Sequence, residues 1–287
     1  MTQPQQPEFA HYQAANAALI GAATAQLGAQ LAELDWNAAS VQSAVTRLYG
    51  GLVRAYRGAS STLGLQLYGD LRAAADVSGG WRKITAPDPD PAWIDAKVAS
   101  AFKVPAPQAI DIAQALLPGD ETAGVFDVEQ VVTDRLTNSM QRMILSGGRD
   151  AVALNAAEDG ADITRVPDKP GAPVGEDPAF YVRVPTSMKP CAFCVMTASR
   201  NWRPYTSAQA AEFVVGTRSG AQRGKQPLGH RYHDHCQCIA VPVFRGKPTP
   251  FDRSPYELMY EKAAADAGTR RDTKKVLASM RQLYGLR

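Results

Sequence analysis

All four cysteines of this 287-residue chain lie within 48 residues, and they come as two close pairs. Cys191 and Cys194 form a C-x2-C, while Cys236 and Cys238 close the dense run His230-Arg231-Tyr232-His233-Asp234-His235-Cys236-Gln237-Cys238. This arrangement constrains the fold strongly, because two knuckles separated by a long excursion must return to one point if they share a ligand. Four cysteines are too few for a disulfide framework in a chain this long. A C-x2-C turn instead offers two thiolates to a tetrahedral metal at sulfur bonds of about 2.3 Å, and zinc is the expected ion. Seven side chains compete for four positions. The preferred set is Cys191, Cys194 and His233 with either Cys236 or Cys238, and the choice between the last two stays open. His230 and His235 are expected in supporting or solvated positions, and Asp234 in water.

The pattern fits a structural metal better than a catalytic one. Pro190-Cys191-Ala192-Phe193-Cys194 reproduces the second half of the nucleobase deaminase signature, but the first half, H-x-E, is missing. The only upstream histidine, His11, is followed by Tyr12 and Gln13, so no glutamate stands where the proton shuttle belongs. A thiol hydrolase would need a free nucleophilic sulfur, and a zinc-bound thiolate is largely spent as one. Ser187, Ser199 and Ser207 lie nearby, yet no G-x-S-x-G elbow frames them. Thioredoxin-like chemistry fits poorly, since Cys191 follows a proline-rich stretch and not a strand of a βαβ unit.

The rest of the chain reads as mainly α with a small α+β module. Phe9 to Ala75 contains no proline, is rich in Ala, Leu and Gln, and repeats apolar residues at helical spacing. Val41, Val45, Leu48, Leu52 and Tyr56 share one helix face, with Arg47, Arg54 and Arg57 between them. Two or three helices are expected here, with breaks at Asp35–Ala38 and at the Gly58–Ser61 turn. Residues 1–80 thus form a helical bundle region, and 81–125 a proline-containing linker or wrapped arm with short helices at Trp93–Phe102 and Pro107–Leu117. A longer helix is expected from Asp127 to Leu145, ended by Gly147 and Gly148, with Arg149–Asp159 as a separate short helix. In the module, 126–250, Phe180–Val184 and Ile239–Phe244 read as strands that pair, with the cysteine segment as the excursion between them. A helix capped by Thr206 or Ser207 and a polar segment, Gly216–Gly229, belong to that excursion. Pro255–Ala267 and Thr273–Tyr284 make a helical, basic C-terminal tail, 251–287.

Charge is unevenly spread. Residues 1–180 hold 13 Lys/Arg and 21 Asp/Glu, residues 181–250 hold 10 and 2, and residues 251–287 hold 8 and 5. The cysteine-bearing block is therefore a basic patch on an acidic protein, suited to nucleic acid or to an acidic protein surface. Trp202, Arg203, Tyr205, Arg218, Arg223, Lys225, Arg231 and Tyr232 could bind single-stranded or duplex nucleic acid by stacking and phosphate contact, although packing around the metal clip is the favoured role for Trp202 and Tyr205. No run of eighteen apolar residues and no signal-like N-terminus is present, so a soluble protein made in the cytoplasm is expected, without a membrane partner.

The order of features, a β-like run, C-x-x-C, an excursion, then His233-Asp234-His235-Cys236-Gln237-Cys238 leading into a second β-like run, resembles the Mu F-like minor head proteins of tailed bacteriophages. That family reads roughly H-P-x-C-R-C at this point, so the chain departs at Asp234 and Gln237 while keeping His233, Cys236 and Cys238. The resemblance covers about residues 125 to 245, and the Ala-rich style and length look like phages of actinobacteria. It implies a minor capsid or head morphogenesis protein that works with the portal protein, with scaffold or coat protein, and with packaged DNA through the basic 181–250 segment. Its place would be the capsid interior of the virion, after assembly in the host cytoplasm. The rival reading is a capsid maturation protease, which would require a β-barrel that the few strands here do not supply.

Overall fold

The computed structural model describes residues 7–77, 79–103, 128–159, 179–186, 190–199, 238–244, 247 and 250–286. Along these the helices are α1 (Pro7–Leu31), α2 (Val41–Ala74), α3 (Pro91–Phe102) and α4 (Val128–Asp159). There follow β1 (Ala179–Val184), the short α5 (Ala192–Ala198), β2 (Ile239–Phe244), α6 (Ser254–Asp266) and α7 (Thr273–Tyr284). The described part is thus mainly helical with one two-stranded antiparallel sheet. The expected helices at Pro107–Leu117 and after Thr206, and the segment Gly216–Gly229, lie outside the described residues.

The break between α1 and α2 falls at the expected place. The Asp35 carboxylate accepts the Asn37 amide at 3.0 Å, and the Trp36 indole donates to the Leu31 carbonyl at 3.2 Å, which satisfies a helix-end acceptor. Two expected breaks do not occur. Helix α2 runs straight through Gly58–Ser61, and α4 runs through Gly147 and Gly148 and absorbs Arg149–Asp159. The glycines mark a crossing of helices instead of a turn. A Cβ on Gly64 would meet Gly148 Cα at 2.6 Å and its carbonyl carbon at 2.8 Å, and one on Gly147 would meet Arg57 Cγ at 2.9 Å. Backbones this close exclude any side chain, so glycine is retained inside a helix despite its entropic cost of about 1 kcal/mol.

Helix α4 is the central element. Every residue from Arg142 to Asp150 is buried, although the segment reads Arg-Met-Ile-Leu-Ser-Gly-Gly-Arg-Asp. Burial of such polar chain requires internal partners. Arg57 of α2, placed among the intervening positions of the apolar face from its spacing, is buried and supplies them. Its guanidinium donates to Asp150 at 2.7 Å, to Ser146 Oγ at 3.1 Å and to the Pro87 carbonyl. Arg72 and Tyr68 converge in the same way on the Asp159 carboxylate, at 2.9 and 2.8 Å.

The linker after α2 is a strap against these helices. Asn155 of α4 accepts the Ile84 amide at 2.9 Å and donates to the Ile84 carbonyl at 2.7 Å, Ser61 accepts the Ala86 amide at 2.8 Å, and Trp81 lies 4.7 Å from the Tyr68 ring. The strap ends where Asp90 accepts the Ala92 amide and Pro91 begins α3, two residues before the expected start.

Two apolar cores result. One joins α1, α2, α3 and the first half of α4 through Leu27, Leu31, Tyr49, Val53, Val98, Met140 and Ile144. The other gathers the end of α4, the sheet, α5 and the α6–α7 pair through Val152, Tyr181, Val184, Val195, Val241, Met259 and Met280. β1 and β2 pair as expected, with Val184 opposite Ile239 and Ala179 opposite Phe244. Both residue sets of β1 are buried from Tyr181 to Val184, because the sheet is packed by α4 and by α5. No described helix is long and apolar enough to cross a membrane.

Candidate metal centre

The sheet register explains how distant cysteines meet. Pairing of Val184 with Ile239 brings the chain leaving β1 beside the chain entering β2. Cys191 lies shortly after the first and Cys238 directly before the second. Cys191 takes the N-cap position of α5 in extended conformation, and its Sγ accepts the Cys194 amide at 3.3 Å. The side chains of Cys191, Cys194 and Cys238 form one cluster, in which Cys194 and Cys238 are buried and Cys191 is half-buried. None of the three is joined in a disulfide.

Two residues that spacing did not single out brace this cluster. Arg149, 2% exposed, donates from Nε to the Cys238 carbonyl at 2.7 Å, so the central helix directly holds the last residue of the second knuckle, where the chain enters β2. Tyr256 of α6 donates to the Pro185 carbonyl at 3.3 Å. Its hydroxyl is pushed up to about 12 by burial, with the neighbouring Cys238 and Asp252 adding to the shift. The sequence did carry a signal for buried charge. Asp150 stands seven residues after Met143, on the same helix face, so an acidic side chain falls in an apolar stripe.

Three soft sulfur donors from two chain segments are the donor type that zinc selects. Among the described residues, however, no group of three or more His, Cys, Asp or Glu has the arrangement of a metal cage. His233 and Cys236, the other two members of the expected ligand set, lie outside the described residues, as do His230, Asp234 and His235. Of the two cysteines left open by spacing, Cys238 is among the described residues and lies beside Cys191 and Cys194, while Cys236 lies outside the described residues. His11 is exposed on α1.

The basic block is only partly described. Arg183 is buried, with its guanidinium 5.9 Å from the Phe193 ring, and so does not belong to a surface patch. Lys247 donates to the Asp76 carbonyl at 3.1 Å. The other eight basic residues of 181–250 lie outside the described residues.

These features define a mainly helical protein whose two-stranded sheet closes on a cluster of thiols. The model of the VG15 protein family matches residues 3–263, and the chain belongs to that family of viral gene proteins, which agrees with a phage protein. No curated protein and no solved structure matches the chain.

Proposed function

We propose that this chain is a phage minor head protein of the Mu F-like type, with a structural zinc site that staples the module around the sheet. The observation that carries this reading is the convergence of Cys191, Cys194 and Cys238 from the two ends of the excursion. Cys191, Cys194 and Cys238 would hold the ion, with His233 or Cys236 as the fourth ligand. Bound there, the metal supplies folding free energy and no chemistry, because ligation occupies the sulfurs that would otherwise act as nucleophiles. Membership in a family of viral gene proteins supports the head assignment, and the basic 181–250 block suits work beside the portal and packaged DNA. The test is mass spectrometry of purified heads, joined to metal analysis of the isolated chain. Detection of the chain in DNA-filled heads together with bound zinc is the expected result. Absence from heads, or cleavage of scaffold or coat protein that a single serine or histidine substitution abolishes, would overturn it.

A further inference from the structure

The helical pair at the end of the chain presents a charged face that the proposed function does not use. Residues 267–286 carry five Lys/Arg and one Asp, and α7 itself contains no acidic residue. The single Asp, Asp272, is turned to the helix end, where its carboxylate accepts the amides of Lys274 and Lys275 at 3.1 and 3.2 Å. Arg270 is tied to Glu261 of α6. That leaves Arg271, Lys274, Lys275 and Arg281, all exposed and none in an ion pair among the described residues.

Helical periodicity gathers them. Val276, Ser279 and Met280 face the core, which turns Lys274, Ala278 and Arg281 outward together, with Lys275 and Gln282 beside them. Lys274 and Arg281 are then about 10 Å apart along the axis, with the small Ala278 between them. The face is held rigidly, since Tyr256, Met259, Met280 and Leu286 are buried beneath the pair and Ser279 donates to Asp266 at 2.6 Å.

We infer that this face of α7, with Arg271, is a docking surface for the phosphate backbone of a nucleic acid. A protein partner would call for an apolar or aromatic centre, and a lipid surface for side chains to insert. Between these cations stand only Ala278 and Gln282, while the exposed Leu283 lies on the other side of the helix, near Val276. Cations with small polar neighbours are what sequence-independent phosphate contact uses. The inference extends the DNA part of the proposed function to a second surface, beyond the residues matched by the family model.

The test measures binding of the full-length protein to a random-sequence DNA duplex by fluorescence anisotropy between about 50 and 200 mM salt. Arg271, Lys274, Lys275 and Arg281 are replaced together by Gln, and a second variant, Ala278→Glu, sets a negative charge in the middle of the face without removing a cation. Four lost phosphate contacts make the parent lose affinity across that range on the order of 100-fold more than the quadruple variant does. Ala278→Glu weakens binding in the same direction, and metal content stays unchanged in both. Equal affinity and equal salt dependence in parent and variants would overturn the inference. So would binding lost only on replacing Arg218, Arg223 and Lys225 by Gln, which would leave the DNA role to the 181–250 block alone.

Discussion

Replacing Gly64 by Ala should cost far more than the same change six residues earlier, and the contrast follows from the crossing of α2 and α4. A methyl on Gly64 would lie 2.6 and 2.8 Å from Gly148 Cα and carbonyl carbon, and closer still to its carbonyl oxygen. These are backbone atoms of the buried stretch from Arg142 to Asp150, so no rotamer change relieves the clash, and the helices must separate. Overpacking of this kind costs about 1–3 kcal/mol and occasionally more, and separation also strains the nearby Arg57–Asp150 pair. Because every clash is with backbone closer than 3.0 Å, the cost lies at the top of that range or above it, and a propensity gain of about 1 kcal/mol still leaves Gly64→Ala destabilised by about 2 kcal/mol or more. Gly58 is exposed in the same helix with nothing within 4 Å of an added Cβ, so Gly58→Ala keeps the propensity gain and is stabilised by about 0.5–1 kcal/mol. Urea denaturation of both variants, compared at equal m-value, measures the difference. A Gly64→Ala protein as stable as the parent would refute the crossing. A Gly58→Ala protein that loses stability would mean that α2 breaks at Gly58–Ser61 after all.

Asp150→Asn removes the charge that Arg57 is buried against and should cost about 3–5 kcal/mol in the same denaturation assay, whereas an exposed change such as Asp70→Asn should fall within about 0.5 kcal/mol. Asn155→Ala deletes both bonds to Ile84, and hydrogen exchange should report faster exchange of the Ile84 amide while α3 amides stay protected; unchanged exchange at Ile84 would remove the strap contact. Tyr12, buried among charged neighbours, is pushed up to about 12, and so is Tyr256. Both phenols ionise near 10 in the unfolded chain, so their contribution is intact below pH 10 and lost as pH rises toward 12. Stability should then fall by about 1.4 kcal/mol per pH unit for each group across that window, and a flat profile there would contradict their burial.

Much of this architecture is legible because local chemistry and tertiary packing agree. The absence of proline from Phe9 to Ala75, the break at Asp35, Asp90 and Asp272 at the starts of α3 and α7, and the alternating runs that pair as β1 and β2 all act through neighbours in sequence. The errors share one cause. Gly147-Gly148 followed by charged residues resembles a helix end, and Gly58 followed by serines resembles a turn, because sequence displays the entropic cost of glycine but not the helix that needs the space. Arg57 and Arg149 were hidden for a related reason. An arginine in a helix reads as solvated, and only a partner ninety or so residues away in the chain makes its burial affordable. At the candidate metal centre, spacing placed Cys191 and Cys194 on one turn, but it took the strand register to bring Cys238 to them.

The most direct test of the central claim is the zinc content of the purified full-length protein, beside that of Cys191→Ser, Cys238→Ser and Cys236→Ser. A structural site predicts stoichiometric zinc in the parent and its loss in Cys191→Ser and Cys238→Ser. Loss in Cys236→Ser as well would make that residue, and not His233, the fourth ligand. Thermal unfolding of the sheet region should drop with the metal, since binding free energy is folding free energy in such sites. A parent protein without zinc, or variants at Cys191 and Cys238 that retain it, would contradict the claim.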